Sequence, residues 1–326
     1  MGRPHAPSDP CLVSLSAGSF FVTIQTMQHK NLVSITSLDR KDIESYVDLA
    51  NQLSKKSLHK IDQKQFVVAI LFFEESTRTQ IGFTIATYRL GGHVVIMNET
   101  KHHPRMGTAE SLEDTIRSIQ SYCDVICLRH PNKDIYARLK PILKKPIINC
   151  GNGDDEHPTQ TLIDLLTINN EFNRLDNLYV AVIGNPRYSR SPHSLLHALS
   201  RFANIQVRTI SPTELYLPEE YKKIYLSSGN ILEEDTEMNI RDMDVLYVTG
   251  FPANLPVKMF SQETQSKYWI TPELIPELKK DAIILCPLPR IDEINIRVDD
   301  EPQAKYFKQS KNGLYMRMAI LNKLLS

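Results

Sequence analysis

Eight short apolar runs, each bounded by turn residues and set apart by helical periods, restrict this chain more than any other feature. Four come early: "FVVAILFF" (66–73), "HVVIM" (93–97), "DVICL" (124–128) and "PIIN" (146–149). Four follow: "LYVAVIG" (178–184), "IQVRTI" (205–210), "DVLYVT" (244–249) and "AIILC" (282–286). Continuous β-branched runs of this length suit strands buried on both faces. Helical periods between them predict helices at about 40–54, 78–90, 110–122, 133–143, 158–171, 191–202 and 273–280, with a last at about 311–325. Gly91-Gly92 is a stop signal after the second of these. Alternation of this kind implies an α/β fold of two doubly wound parallel-sheet domains joined by helices. The stretch 158–171 is the expected joint.

Bulk numbers narrow the function. At 326 residues the chain exceeds what one core usually needs. Lys plus Arg number 38 and Asp plus Glu 38, so no broad nucleic-acid or acidic-membrane surface is expected. Any anion must be caught by local charge. Five scattered cysteines form no CxxC pair and no metal spacing, which implies free thiols in a reducing compartment. No run approaches the ~18–20 apolar residues of a membrane helix. "CLVSLSAGSFFVTI" lacks a clear cleavage site, and Ala6 stands where myristoylation wants Ser or Thr. Residues 1–30 are read as a poorly ordered extension.

In open parallel sheets, ligands bind beyond the carboxyl ends of the strands. After 66–73 comes "EESTRT", after 124–128 "RHP", after 146–149 "CGNGDDEHPTQ", after 178–184 "NPRYSR" and after 282–286 "PLPR". The polar residues all fall at that one edge. Ser76, Thr77, Arg78 and Thr79 are either an ordinary N-cap or an anion grip, with helix N–H groups, hydroxyls and a planar guanidinium. Arg129 and Arg190 add cations, or are solvated surface arginines. His157 and Gln160 offer an imidazole and an amide, or merely a turn. No P-loop, GxSxG or HExxH is present. Donors and cations without a nucleophile suit a transfer in which the substrate's own amine attacks.

The stretches "FFEESTRTQIGF", "SLEDTIRSIQSYCDVICLRHP", "GNGDDEHPTQTLIDLLTI", "GNPRYSRSPHSLLHAL" and "CPLPRIDEI" resemble the aspartate/ornithine carbamoyltransferase family, the aspartate branch in particular. The resemblance implies a carbamoyl-phosphate domain at 31–157 plus 309–326, where the last helix returns, and an acceptor domain at 158–308. It implies that Ser76, Thr77, Arg78 and Thr79 hold the phosphate, and that Thr79, Arg129 and His157 meet the carbonyl oxygen. Gln160 and the backbone around Leu288 and Pro289 would fix the carbamoyl NH2. Arg190, Gly250, Pro252 and Leu288 would face the acceptor. Glu74 would bridge the domains and Glu110 would brace Arg78. The enzymes resembled are cytoplasmic homotrimers with shared sites, and no metal or organic cofactor is implied.

Departures fall on the acceptor side. The aspartate enzymes resembled carry Arg and Gln where "LYVTGFP" has Gly250 and Pro252. Their loop Ser and Lys fall near Pro104 and Thr108, with Lys101, His102, His103 and Arg105 close by. Cys286 replaces a His, and Gln80 an Arg. The expectation is carbamoyl transfer from carbamoyl phosphate to a small amino acid other than aspartate, for example a diamino acid. The alternatives are aspartate carbamoyltransferase with substitute cations (Arg105, Lys258 or Lys267), and a catalytically silent subunit that binds carbamoyl phosphate.

Overall fold

A computed structural model describes residues 31–55, 65–98, 110–251 and 260–326. The extension read at 1–30 lies outside them. Chain order begins with α1 (Arg40–Lys55), β1 (Val67–Phe72), α2 (Thr77–Arg89), β2 (His93–Asn98), α3 (Leu112–Ile119), β3 (Val125–His130), α4 (Ile135–Leu139) and β4 (Ile147–Asn152). The long helix α5 (Pro158–Phe172) leads to β5 (Tyr179–Ile183), α6 (Arg190–Leu199), β6 (Gln206–Ile210), α7 (Glu219–Leu226), β7 (Ile231–Asp235) and β8 (Val245–Val248). Then come α8 (Gln262–Ser266), β9 (Ile283–Leu285) and α9 (Tyr306–Leu325).

Two parallel sheets result, ordered β2-β1-β3-β4 and β7-β6-β5-β8-β9. Their central strands carry buried runs: Val68, Ile70, Val125, Val180, Val182 and Val245 have almost no exposed surface, nor has Ile148 on β4. α1 turns Ile43, Tyr46, Val47, Ala50 and Leu53 inward at helical spacing. The last helix α9 runs back to pack on α1, α2 and α5, so the chain's end covers its beginning.

The parallel register decides where a site can form. Strand order reverses between β1 and β3, where Phe72 pairs with Arg129. It reverses again between β5 and β8, where Ile183 pairs with Val248. These are the topological switch points, and the polar loops leave from them.

Three expectations are corrected. The helix read at 273–280 is a 3-10 segment, Pro272–Glu277, because Pro276 sits inside it and blocks an α-helical ladder. The last helix starts at Tyr306 rather than 311. The second sheet has a fifth strand, β7, whose sequence ILEED is charged and only partly buried, as an edge allows.

Candidate active site

The anion-grip stretch opens α2. Ser76 is its N-cap, yet its hydroxyl makes no capping hydrogen bond. The ordinary-cap reading therefore does not describe this side chain. Thr79 is buried in the first turn, and Arg78 is exposed at the mouth. Arg78 Nη2 donates to the Leu288 carbonyl at 2.6 Å, so the loop after β1 meets the loop after β9. Leu288 has φ +51, in the left-handed region that a branched residue rarely enters. Its N–H donates to Cys286 Sγ at 3.4 Å, one of the contacts that hold it there. Arg290 of the PLPR turn faces away, bonded to Asp299 and to the Tyr306 hydroxyl.

A second cluster forms around Gly151. Arg129 leaves the end of β3 and donates through Nη1 to the Cys150 carbonyl at 3.2 Å. Arg190 begins α6 and donates through Nη1 to the Gly153 carbonyl at 2.6 Å. Both guanidiniums share Glu74, whose Oε2 lies 3.5 Å from Arg129 Nε and 3.2 Å from Arg190 Nη1. Burial, with Arg190 nearby, pulls the Arg129 guanidinium down to about 10, which still leaves it charged at neutral pH.

His157 is the N-cap of α5 and is buried. Its N–H donates to Ser194 Oγ at 2.8 Å, and Thr159 Oγ1 lies 3.2 Å from Nδ1. Burial, then the neighbouring charges of Arg129, Arg190 and Arg317, hold the imidazole well below its ordinary value. It is neutral at physiological pH, and a neutral ring can donate one hydrogen bond without bringing a positive charge. Gln160 follows one turn later, and its Nε2 donates to Asp164 Oδ1 at 2.7 Å.

On the acceptor side, a Cβ added to Gly250 would lie 2.8 Å from the Glu293 carboxylate. That carboxylate accepts the Ile291 and Asp292 N–H groups at 2.8 and 3.1 Å. Lys267 is exposed at the C-cap of α8. Pro252, Lys258 and the loop residues Lys101 to Thr108 lie outside the described residues. The bracing of Arg78 by Glu110 is not seen: Glu110 is exposed, and no ion pair joins the two described residues. Its helix start is capped by Ser111 instead, which turns that segment toward Asp114.

Asp164, Glu293, Gly151 and Arg317 also shape the site, and sequence reasoning passed over them. A lone acid in "TLIDLLTI" was the available signal for Asp164.

The carbamoyl-P binding domain model of aspartate/ornithine carbamoyltransferase matches residues 30–170, and the Asp/Orn binding domain model matches 176–324. This chain belongs to the aspartate/ornithine carbamoyltransferase family. The aspartate carbamoyltransferase catalytic subunit of Methanocaldococcus jannaschii is 41% identical over 305 residues, covering 91% of this chain and 98% of the relative. That of Thermoplasma acidophilum is 38% identical over 309 residues, covering 92% and 99%. Among solved structures, an aspartate transcarbamoylase of Trypanosoma cruzi in complex with aspartate and phosphate superposes with a TM-score of 0.83 at 34% identity, covering 91% of this chain and 95% of that one. Like these relatives, this member of the family is a carbamoyltransferase of the aspartate carbamoyltransferase type. The relatives give no support to an altered acceptor; they favour the aspartate alternative.

Proposed function

We propose that this carbamoyltransferase moves the carbamoyl group of carbamoyl phosphate to the amino group of aspartate and releases phosphate. The observation that carries the donor half is the gathering of Arg78, Arg129 and His157 at the carboxyl ends of β1, β3 and β4, around the switch point of the first sheet. In this reading Ser76, Thr77, Arg78 and Thr79 bind the phosphate at the start of α2. Arg129, Thr79 and neutral His157 polarise the carbonyl oxygen and stabilise the oxyanion that forms there. Gln160 and the Leu288 carbonyl accept from the carbamoyl NH2. The acceptor nitrogen's lone pair attacks the carbonyl carbon. The C–O bond to phosphate breaks, phosphate takes the electron pair, and the amine loses a proton. The relatives' substrate supports aspartate, with Arg190 and the Gly250–Pro252 stretch on the acceptor side.

The reading extends to assembly. Ile81, Ile85 and Tyr88 lie on one exposed face of α2, and Val95 and Ile96 are exposed on the edge strand β2. An apolar face of this kind supports a homotrimer with shared sites. The return of α9 to α1, α2 and α5 supports domain limits of 31–157 plus 309–326, and 158–308. Among the described residues four cysteines are free and buried, which supports a reducing, cytoplasmic setting. Among the described residues no helix is long and apolar enough to cross a membrane.

One observation favours a second acceptor. The carboxylate of Glu293 lies against Gly250, where the aspartate enzymes resembled have an arginine. Negative charge there suits an acceptor with a cationic side chain, such as 2,3-diaminopropionate, better than a dicarboxylate. Phosphate release with aspartate, ornithine, 2,3-diaminopropionate and 2,4-diaminobutyrate separates the two readings. Turnover confined to a diamino acid replaces aspartate. Loss of all turnover in Arg78→Ala is expected under either, and an unchanged rate refutes both.

A further inference from the structure

The geometry points to Asp164 as a positioning residue that aims both hydrogen-bond acceptors of the carbamoyl amide. The inference rests on the reading that Gln160 and the Leu288 carbonyl meet the substrate NH2. Asp164 is fully buried on α5, one turn beyond Gln160. Its Oδ1 accepts from Gln160 Nε2 and from Gln309 Nε2, each at 2.7 Å. Its Oδ2 accepts from the Tyr247 hydroxyl at 2.9 Å.

An ionised carboxylate can only accept. Gln160 must therefore turn its Nε2 inward, which leaves Oε1 to face outward as an acceptor. With an apolar neighbour instead, nothing would distinguish the two ends of that amide. The reversed amide would offer N–H to the substrate's own N–H, which is a repulsive pairing. Burial pushes the Asp164 carboxyl up to about 7 even against the three donors, each of which favours the ionised form, so the acceptor-only state that orients Gln160 fills as pH rises through that value.

The same carboxylate reaches the second acceptor through Gln309. With Nε2 committed to Asp164, the Gln309 Oε1 accepts the Cys286 N–H at 2.9 Å. Cys286 opens the turn that carries Leu288, and its Sγ accepts the Leu288 N–H at 3.4 Å. One acid on the joining helix thus holds Gln160 directly and the Leu288 turn through a single glutamine. Tyr247 anchors the same group to β8, so it is fixed from the joining helix, the second sheet and the last helix.

The test uses the full-length enzyme with carbamoyl phosphate and inorganic phosphate as separate ligands in titration calorimetry, alongside steady-state rates. Asp164→Asn presents an N–H toward one of the donors. It should cut carbamoyl phosphate affinity and kcat/KM by roughly 10–100-fold, the usual scale for an unmatched buried polar group. Phosphate affinity should stay within twofold, because phosphate carries no amide. Gln160→Ala should show the same selective loss. The double variant should lose less than the product of the two single losses. Equal weakening of both ligands, or losses that multiply, overturns the proposal. A silent Asp164→Asn beside a damaging Gln160→Ala sinks it alone, while a silent Gln160→Ala sinks the role read for Gln160 first. If Asp164→Asn does not fold, Gln309→Met takes its place, and a change in stability without selective loss refutes the idea.

Discussion

Replacing Gly151 by Ala should disable catalysis more than it harms the fold. Gly151 has φ +114, a region that L side chains avoid, so the backbone strain costs about 1–3 kcal/mol. The new Cβ would lie 3.0 Å from Arg129 Nη1 and 3.2 Å from both Arg190 Cζ and Nη1. Ordinary contact lies near 3.5–4.0 Å, so each guanidinium must retreat by about 0.5 Å. Arg129 Nη1 starts at 3.2 Å from the Cys150 carbonyl and has little room before that bond is lost. A catalytic cation misplaced on this scale costs on the order of 10–100-fold in rate. The assay is kcat/KM for carbamoyl phosphate together with thermal melting on the same preparation. A melting temperature lowered by a few degrees with kcat/KM within twofold of the parent would refute the reasoning. It would mean that Arg129, packed beside Gly151, does not touch the donor.

Other outcomes are open to measurement. Burial raises the Glu156 carboxyl from its ordinary 4.5 to about 7, against hydrogen bonds from Ser34 and the Ile35 N–H. Its protonated form favours the folded state. That contribution, on the order of 3 kcal/mol, is full below about 4.5 and lost as pH rises through about 7. Melting temperature should therefore fall between those values, Glu156→Gln should flatten the fall, and an unflattened curve would exclude the assignment. Glu293→Gln removes the negative charge beside Gly250 and should lower the KM for aspartate several-fold; a raised KM would count against an acceptor site there. Tyr88→Glu on the exposed face of α2 should shift sedimentation toward the monomer, and an unchanged mass would remove that face from the interface.

Much of the fold was legible because parallel strands buried on both faces read as continuous apolar runs. The loops at the carboxyl ends of the strands followed from that, and with them the places of Arg78, Arg129, His157 and Gln160. What stayed hidden has a physical cause in each case. β7 is an edge strand, so half-buried ILEED carries no continuous apolar signal. Pro276 broke a helical period that its neighbours otherwise kept. Glu293 meets Gly250 across 43 positions and Asp164 meets Gln309 across 145, which no local spacing reveals; only the Gln160–Asp164 pair, four positions apart on one helix, lay within local reach.

The return of α9 has a consequence for synthesis. The helix that covers α1, α2 and α5 is made after both sheets. About 150 residues separate the end of α5 from the end of α9. At roughly 5–20 residues per second the early sheet waits about 8–30 s on the ribosome with that face bare. A stop before α9 would therefore not trim the second sheet beside it. It would uncover the helices made first, and the earliest-built part of the molecule would be the part that failed.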